Sequence, residues 1–193
     1  MDSSSTPGAP EKVEFRRVSQ SERDDLWQML QVHMGELSQY NPHMRPHRGV
    51  FPYASFELYW KHPSQRHAYF ILLNGERVGL LFLSEGVWPW YGYSDVCVEV
   101  SEVYVAPEFR GRGIGRRAME FALQWAHKRG RPLLWSSYCN NARALRLYYR
   151  FAAACRESGL WRLTINSTVD GFGCDRKNFR IEPVPTPPRS PSR

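Results

Sequence analysis

The stretch Val96–Gly130, VCVEVSEVYVAPEFRGRGIGRRAMEFALQWAHKRG, decides the fold. Its first ten residues carry valines at 96, 98 and 100, then at 103 and 105. Alternation with a period of two is the pattern of a half-buried strand. The jump in phase after Val100 is what one inserted residue, a β-bulge, produces, because it moves every later side chain to the other face. The slip places Glu99 and Glu102 on the same, non-apolar side. Pro107 has no N–H to give and ends the ladder.

Next to the strand stands Glu108-Phe109-Arg110-Gly111-Arg112-Gly113-Ile114-Gly115. From Gly113 onward Ile114, Ala118, Phe121, Ala122 and Trp125 recur at helical spacing, with Arg116, Arg117, Glu120, Gln124 and Lys128 on the other faces. The glycines therefore sit at a helix N-terminus, where unpaired N–H groups and the positive dipole end favour an anion. Arg110, Arg112, Arg116 and Arg117 add charge. Arginine at a helix start opposes the macrodipole, so a polyphosphate ligand explains them better than a solvated helix end. The turn is neither G-x-x-x-x-G-K-[ST] nor G-x-G-x-x-G with a spaced acidic partner, which excludes the common nucleotide motifs.

Outward from this unit the sequence sets bounds. At 193 residues and 42% hydrophobic content, one domain can bury its own core. It is expected over 13–184, between tails at 1–12 and 185–193 (PTPPRSPSR) too polar and Pro/Ser-rich to fold. No apolar run approaches the roughly 18 residues of a membrane span, and the N-terminus has no hydrophobic signal segment. A cytoplasmic protein is expected. The four cysteines (97, 139, 155, 174) are far apart and read as free packing thiols. The net charge of +7 invites a nucleic-acid reading, but much of it lies at the anion turn and in the tail. No nucleic-acid-binding motif is present, so nucleic acid is not the expected partner.

In chain order, Val13–Val18 is a strand. Ser21 is the expected N-cap, with Asp24 at N3, of a helix striped by Leu26, Met29, Leu30, His33 and Leu37. His33 is read as a hydrogen-bonded, half-buried residue. His43 and His47 lie at metal-pair spacing, but Pro46 disfavours a helix and no Glu follows His43, so no metal is expected. Tyr53–His62 reads as an aromatic-rich helix. Asn74-Gly75 joins strands His67–Leu73 and Arg77–Ser84 in a hairpin. Trp88, Trp90, Tyr91 and Tyr93 crowd a Gly/Pro loop and are expected to lid a neighbouring cleft or form a partner surface. Strands Leu133–Tyr138 and Gly159–Asn166 flank a helix at 141–151, and Phe179–Val184 is a possible short edge strand.

Arg110-Gly111-Arg112-Gly113-Ile114-Gly115 matches the [Q/R]-x-x-G-x-[G/A] signature of the GNAT superfamily of acetyl-coenzyme-A-dependent N-acetyltransferases. The bulged strand before it and the amphipathic helix after it strengthen the match. Asn141, Ala144 and Tyr148 stand in register with the family's second motif, although Ala152-Ala153 replace the expected Gly-Phe. The resemblance covers about residues 13–170, and the segment around Leu37 and Tyr40 is similar to a group of uncharacterised bacterial members. It implies an α/β fold: a central mixed, mostly antiparallel sheet with a splayed, bulged strand, flanked by helices.

It also implies a site. Arg110, Gly111, Arg112, Gly113, Ile114, Gly115 and Arg116 would anchor the diphosphate of acetyl-CoA, the co-substrate. Val103, Tyr104 and Val105 would pair with its pantetheine arm, one N–H facing the thioester oxygen, and Asn141 would cap its helix and touch that arm. Glu99, eleven residues before Arg110 as in histone-acetylating members, is the first choice of base and Glu102 the second. Two carboxylates on one face would raise each other's pKa. Tyr148 is the acid that protonates the leaving thiolate. The implied reaction is direct acetyl transfer to a primary amine of a small molecule or protein. Homodimers are common among relatives. The rival readings are a non-catalytic acyl-CoA sensor and a tRNA-directed acetylating toxin docking through Arg143, Arg146 and Arg150.

Overall fold

The structure is a computed structural model that describes residues 11–184. The expected tails therefore fall outside the described residues, except Glu11 and Lys12. These two are already fixed: Lys12 N–H donates to Asn74 Oδ1 at 2.9 Å, and Asn74 N–H returns a bond to Lys12 C=O at 2.9 Å.

Seven strands form one sheet in the order β1-β2-β3-β4-β5-β7-β6. They are β1 (Val13–Arg17), β2 (Arg66–Leu73), β3 (Glu76–Val87), β4 (Val96–Val105), β5 (Leu133–Tyr138), β6 (Trp161–Val169) and β7 (Asp175–Pro183). Every pairing is antiparallel except β4 with β5. The helices are α1 (Arg23–Leu37), the single turn α2 (Leu58–Lys61), α3 (Ile114–His127) and α4 (Ala142–Glu157). At Asn74-Gly75 both residues are left-handed, with φ of 51° and 88°, the requirement of a two-residue hairpin.

Each face of the sheet is covered, because both presents apolar side chains. Leu81, Val98, Trp135 and Phe179 pack on Ala118 and Met119 of α3 and Phe151 of α4. Phe70, Leu80 and Phe82 point the other way, onto Leu26 and Leu30 of α1. Trp135 is fully buried, stacked on Phe179 at 5.3 Å. Burial of side chains of this kind contributes roughly 1.5–3 kcal/mol each.

Several local expectations are corrected. The cap before α1 is Ser19, not Ser21: Ser19 and Glu22 form a capping box around a short 3-10 turn that leads into the helix. The segment from Tyr53 is mostly tight turns, with Phe56 N–H bonded to Tyr53 C=O and Tyr59 N–H to Phe56 C=O. These turns drop Phe56 and Tyr59 into the α1-side core. Helix α4 runs straight through Ala152-Ala153, both good helix formers, and turns only at Gly159, where φ is 71°. β7 starts at Asp175 and is internal, between β5 and β6. The polar run Asp175–Asn178 hid its beginning. Three of the four loop aromatics are not a lid. Trp88, Tyr91 and Tyr93 cover a small core of Cys97 and Leu134, and Trp90 alone stays exposed.

β3 and β4 are in tight contact at Gly79, where an added Cβ would lie 2.1 Å from the carbonyl oxygen of Tyr104. Gly79→Ala must push the strands apart and should lower stability by about 1–3 kcal/mol in urea unfolding. Gly171→Ala, at a position with nothing within 4 Å, serves as the control and should stay within about 0.5 kcal/mol. Equal unfolding midpoints for the two variants would contradict the β3–β4 contact.

Candidate active site

The bulge predicted in β4 is present. Leu83 of β3 pairs with Val100 and Phe82 pairs with Glu102, leaving Ser101 as the extra residue. The slip turns Glu99, Glu102 and Tyr104 toward the α1 side while Val98, Val100, Val103 and Val105 face α3 and α4. Pairing with β5 stops at the same place: it covers only Val98, Glu99 and Val100. Ala106 N–H donates to Val78 C=O of β3 at 2.8 Å. By antiparallel alternation, Val103 and Val105 therefore direct their peptide groups away from β3, into the gap beside β5. Tyr104 points its own toward β3, so its backbone is not available to a ligand strand as the sequence had implied for all three.

Beyond Val105 a 3-10 turn (Pro107–Phe109) leads to Gly111 and Gly113, with φ of 82° and 75°. Residues with a Cβ rarely hold this conformation. Gly113 is the N-cap of α3, and the first bond back along the helix is from Arg117 N–H to Gly113 C=O at 3.1 Å. The N–H groups of Ile114, Gly115 and Arg116 have no acceptor within the helix, the arrangement that favours an anion at a helix start. Gly115 lets α4 approach, since a Cβ there would meet Leu147 at 3.1 Å.

The arginines of the turn are placed unequally. Arg110 lies over the ring of Tyr104, donates to Val105 C=O at 2.6 Å and pairs with Glu36 of α1 at 2.7 Å. Arg116 pairs with Glu120 one turn on, at 2.7 Å. Both line the cavity described next. Arg112 and Arg117 instead reach Glu11, at its carboxylate and its carbonyl. Neither lines the cavity, so half of the expected cationic cluster turns to the N-terminal segment.

A cavity of about 1220 Å³ runs from α1, across the open edge of β4, into the groove between α3 and α4. Small-ligand sites commonly enclose roughly 300–1,000 Å³, so this cavity exceeds the usual single-ligand site. Glu102, Val103, Val105, Gly111, Gly113, Ile114, Gly115, Asn141 and Tyr148 all line it. Asn141 caps α4 by accepting from Ala144 N–H at 3.0 Å. Tyr148 packs edge-on against Trp135 and Phe179. Burial, and next the negative charge of Glu102, push its hydroxyl well above the ordinary phenol range, while Arg176 pulls the other way. It remains a proton donor at neutral pH.

The two carboxylates have different surroundings. Glu102 faces the cavity, with Oε2 2.8 Å from Nε2 of the buried His33 on α1. Glu99 is sealed behind it and does not line the cavity. It accepts from Ser101 Oγ at 2.8 Å and from Tyr91 O–H at 3.1 Å. Its pKa is raised mainly by burial, against the pull of those two hydrogen bonds, and the charge of Glu102 adds only a smaller push. Sequence analysis missed the His33–Glu102 contact and the cavity position of Arg176. His33 stood in the middle of the apolar stripe of α1, which marked it as inward-facing, but nothing local named its partner. Among the described residues no cluster of three or more His, Cys, Asp or Glu is placed to hold a metal, and His43 stacks on Phe172.

Glu99 gives this site a pH signature. Its folded pKa lies above the ordinary carboxylate value of 4.5, so the folded state holds the proton longer than the unfolded chain. Stability is then lost as pH rises from about 4.5 through the folded pKa. Glu99→Gln has no such charge to bury. Relative to the parent, it should gain stability progressively between pH 4 and pH 8 in urea titrations. A difference independent of pH would mean that Glu99 is not held in a desolvated place.

With this geometry in hand, known proteins are informative. Residues 28–153 match the sequence model of the Acetyltransferase (GNAT) family. The chain is 38% identical over 78 residues to an uncharacterized N-acetyltransferase of Archaeoglobus fulgidus, covering 39% of this chain and 52% of that protein. It is 33% identical over 94 residues to a streptothricin acetyltransferase of Streptomyces lavendulae, covering 47% of each. The chain spans about half the length of these curated relatives. Among solved structures, Arabidopsis thaliana NAA60 in complex with a bisubstrate analogue superposes with a TM-score of 0.59 at 14% identity, covering 88% of this chain and 97% of that one. The PaiA N-acetyltransferase of Thermoplasma acidophilum, in complex with coenzyme A, gives 0.57 at 13% identity, covering 90% and 99%. At such identities the structural likeness is one of fold, and its mixed seven-stranded sheet flanked by helices is the fold seen here. The sequence match spans most of the site as well, and the chain belongs to the acetyltransferase (GNAT) family.

Proposed function

We propose that this chain, as one domain over 13–184, is an acetyl-CoA-dependent N-acetyltransferase that acts by direct transfer to a primary amine. One observation carries the proposal. A single cavity gathers the unpaired peptide groups of Val103, the N–H of Val105, the free N–H groups at the start of α3, Glu102 and Tyr148. An extended, amide-bearing arm ending in a diphosphate matches the first two features in order. Those same features are the ones that fit acetyl-CoA, which supplies an acetyl group activated as a thioester. Gly111, Gly113, Ile114, Gly115 and the N–H of Arg116 receive its phosphates, and Val103 and Val105 hold its arm as a neighbouring strand would. Asn141 stands at the head of α4 beside that arm.

The remaining groups move protons. An amine is mostly protonated at neutral pH and must lose a proton before its lone pair can attack. We assign this to Glu102, which faces the cavity, over Glu99, which is enclosed by Ser101 and Tyr91. As the new C–N bond forms the nitrogen sheds its second proton; as the C–S bond breaks Tyr148 gives its hydroxyl proton to the departing sulfur, and the proton shed by the nitrogen restores the phenol. A Val103 or Val105 N–H beside the thioester carbonyl stabilises the oxyanion. No step needs a covalent enzyme intermediate: Cys139 is exposed and does not line the cavity, and burial pushes the thiol of Cys155, which does, up to about 11. No helix of the described residues is long and apolar enough to cross a membrane, which is consistent with a cytoplasmic setting. The acceptor amine belongs to a small molecule or a protein, both in keeping with the family.

Tyr148→Phe removes one hydroxyl and leaves the ring packing in place. Turnover of acetyl-CoA with an accepted amine should fall by about 10²–10⁴, while calorimetric affinity for coenzyme A stays at the parent value. Unchanged turnover would take the acid role away from Tyr148.

A further inference from the structure

Acyl and proton transfer leave Arg176, one of the charged side chains that line the cavity, without a task. Arg176 lies at the start of β7, opposite Tyr138 of β5. Its Nη2 donates to Ser136 Oγ at 2.6 Å, and its guanidinium lies 4.1 Å over the Tyr138 ring. Trp135 and Phe179 of these strands face α3 and α4. Alternation then puts Ser136, Tyr138 and Arg176 on the opposite face, which also carries Glu102 and meets α1. Asn41, just beyond α1, donates to the Tyr138 hydroxyl at 3.0 Å and ties that end together. Arg176 thus sits on the α1 side of the cavity, away from the α3–α4 groove.

The charges around it are uneven. Three carboxylates line the cavity, and each has a basic partner. Glu36 has Arg110 and Arg143, Glu102 has His33, and Glu120 has Arg116. Among the described residues Arg176 has no carboxylate partner; it is held by a hydroxyl and an aromatic face, which leave N–H donors over. Arg176, Glu102 and Tyr148 all line the one cavity. A guanidinium fork matches a planar carboxylate with two parallel N–H bonds. A polycationic amine would set a second ammonium against Arg176 and find no unpaired carboxylate to receive it.

We infer that the acceptor is an amine that also carries an anionic group, a carboxylate a short spacer from the nitrogen, which Arg176 binds while Glu102 faces the amine. This rests on the acetyltransferase reading of the same cavity. The acceptor is then of the amino-acid type, and Arg176 determines specificity.

The test pairs amino acids with their decarboxylated amines, methionine with 3-methylthiopropylamine and phenylalanine with phenethylamine, and adds O-phosphoethanolamine and spermidine. With the full chain and acetyl-CoA, kcat/KM from thiol release should favour the acids by about 10- to 100-fold, the range of a charged hydrogen-bonded contact. Arg176→Gln should collapse that ratio, mainly through KM, and Arg176→Lys, which keeps charge without the fork, should retain part of it. Thermal midpoints show whether the variants are folded. O-Phosphoethanolamine as the best substrate, with its advantage lost in Arg176→Gln, would make the anion a phosphate and overturn the choice of carboxylate. Spermidine or the decarboxylated amines matching the acids would overturn the inference. A calorimetric titration of N-acetylmethionine into the coenzyme-A-saturated chain separates the two readings. Binding that Arg176→Gln abolishes, without turnover of any amine, upholds the anion site and removes the transferase. Turnover without preference does the reverse, and absence of both binding and preference rejects the anion site.

Discussion

A β-strand satisfies its peptide groups by pairing on both edges, and a buried group left without a partner is costly. β4 pairs fully with β3 but leaves β5 after Val100, and the single extra residue Ser101 marks the point of departure. Everything characteristic of the site depends on this. The same insertion that frees the peptide groups of Val103 and the N–H of Val105 from strand pairing rotates Glu102 onto the α1 side, where it meets His33. It also delivers the chain, by way of the turn Pro107–Phe109, to the glycines Gly111 and Gly113 that start α3 with its first N–H groups free. A strand without the bulge would close the gap and put Glu102 among the apolar residues under α3 and α4.

The sheet then works as a partition. On one side α3 and α4 approach closely at Gly115 and Leu147 and form a groove suited to a long, phosphate-ended ligand. On the other, α1 and the ends of β5 and β7 enclose a smaller polar space containing Glu102, Tyr138 and Arg176. The open edge of β4 is the passage between them. Arg110 links the two sides: it rises from the glycine turn before α3 but is held by Glu36 of α1. The ion pair is partly buried, a setting in which loss of one partner is felt more than at the surface.

Much of this was legible in the sequence because it is local. The phase jump between Val100 and Val103 gave the bulge, Gly111 and Gly113 the turn, and Asn141 the cap of α4. Features set by distant contacts were not legible. His33 and Glu102 are 69 residues apart, and no periodicity encodes such a pairing. The cap before α1 was misplaced because Ser19 and Ser21 both precede an acidic residue three positions on. Arg176 was overlooked because Asp175–Asn178 is polar, and its strand is recognisable only from the hydrogen bonds to β5. The loop aromatics seemed too many for a core, yet Cys97 and Leu134 offered a small separate one. Likewise, Glu99 and Glu102 share a face, as their spacing required, but burial distinguishes them and burial is a property of the packed structure.

The central claim is that the freed edge of β4 and the start of α3 together hold acetyl-CoA. Amide NMR of the full chain titrated with acetyl-CoA tests it most directly. The account predicts saturable binding, with the largest shifts at the N–H groups of Val103, Val105, Ile114, Gly115 and Arg116 and little change in β1 and β2. No binding, or shifts gathered away from the β4 edge and the α3 start, would contradict it.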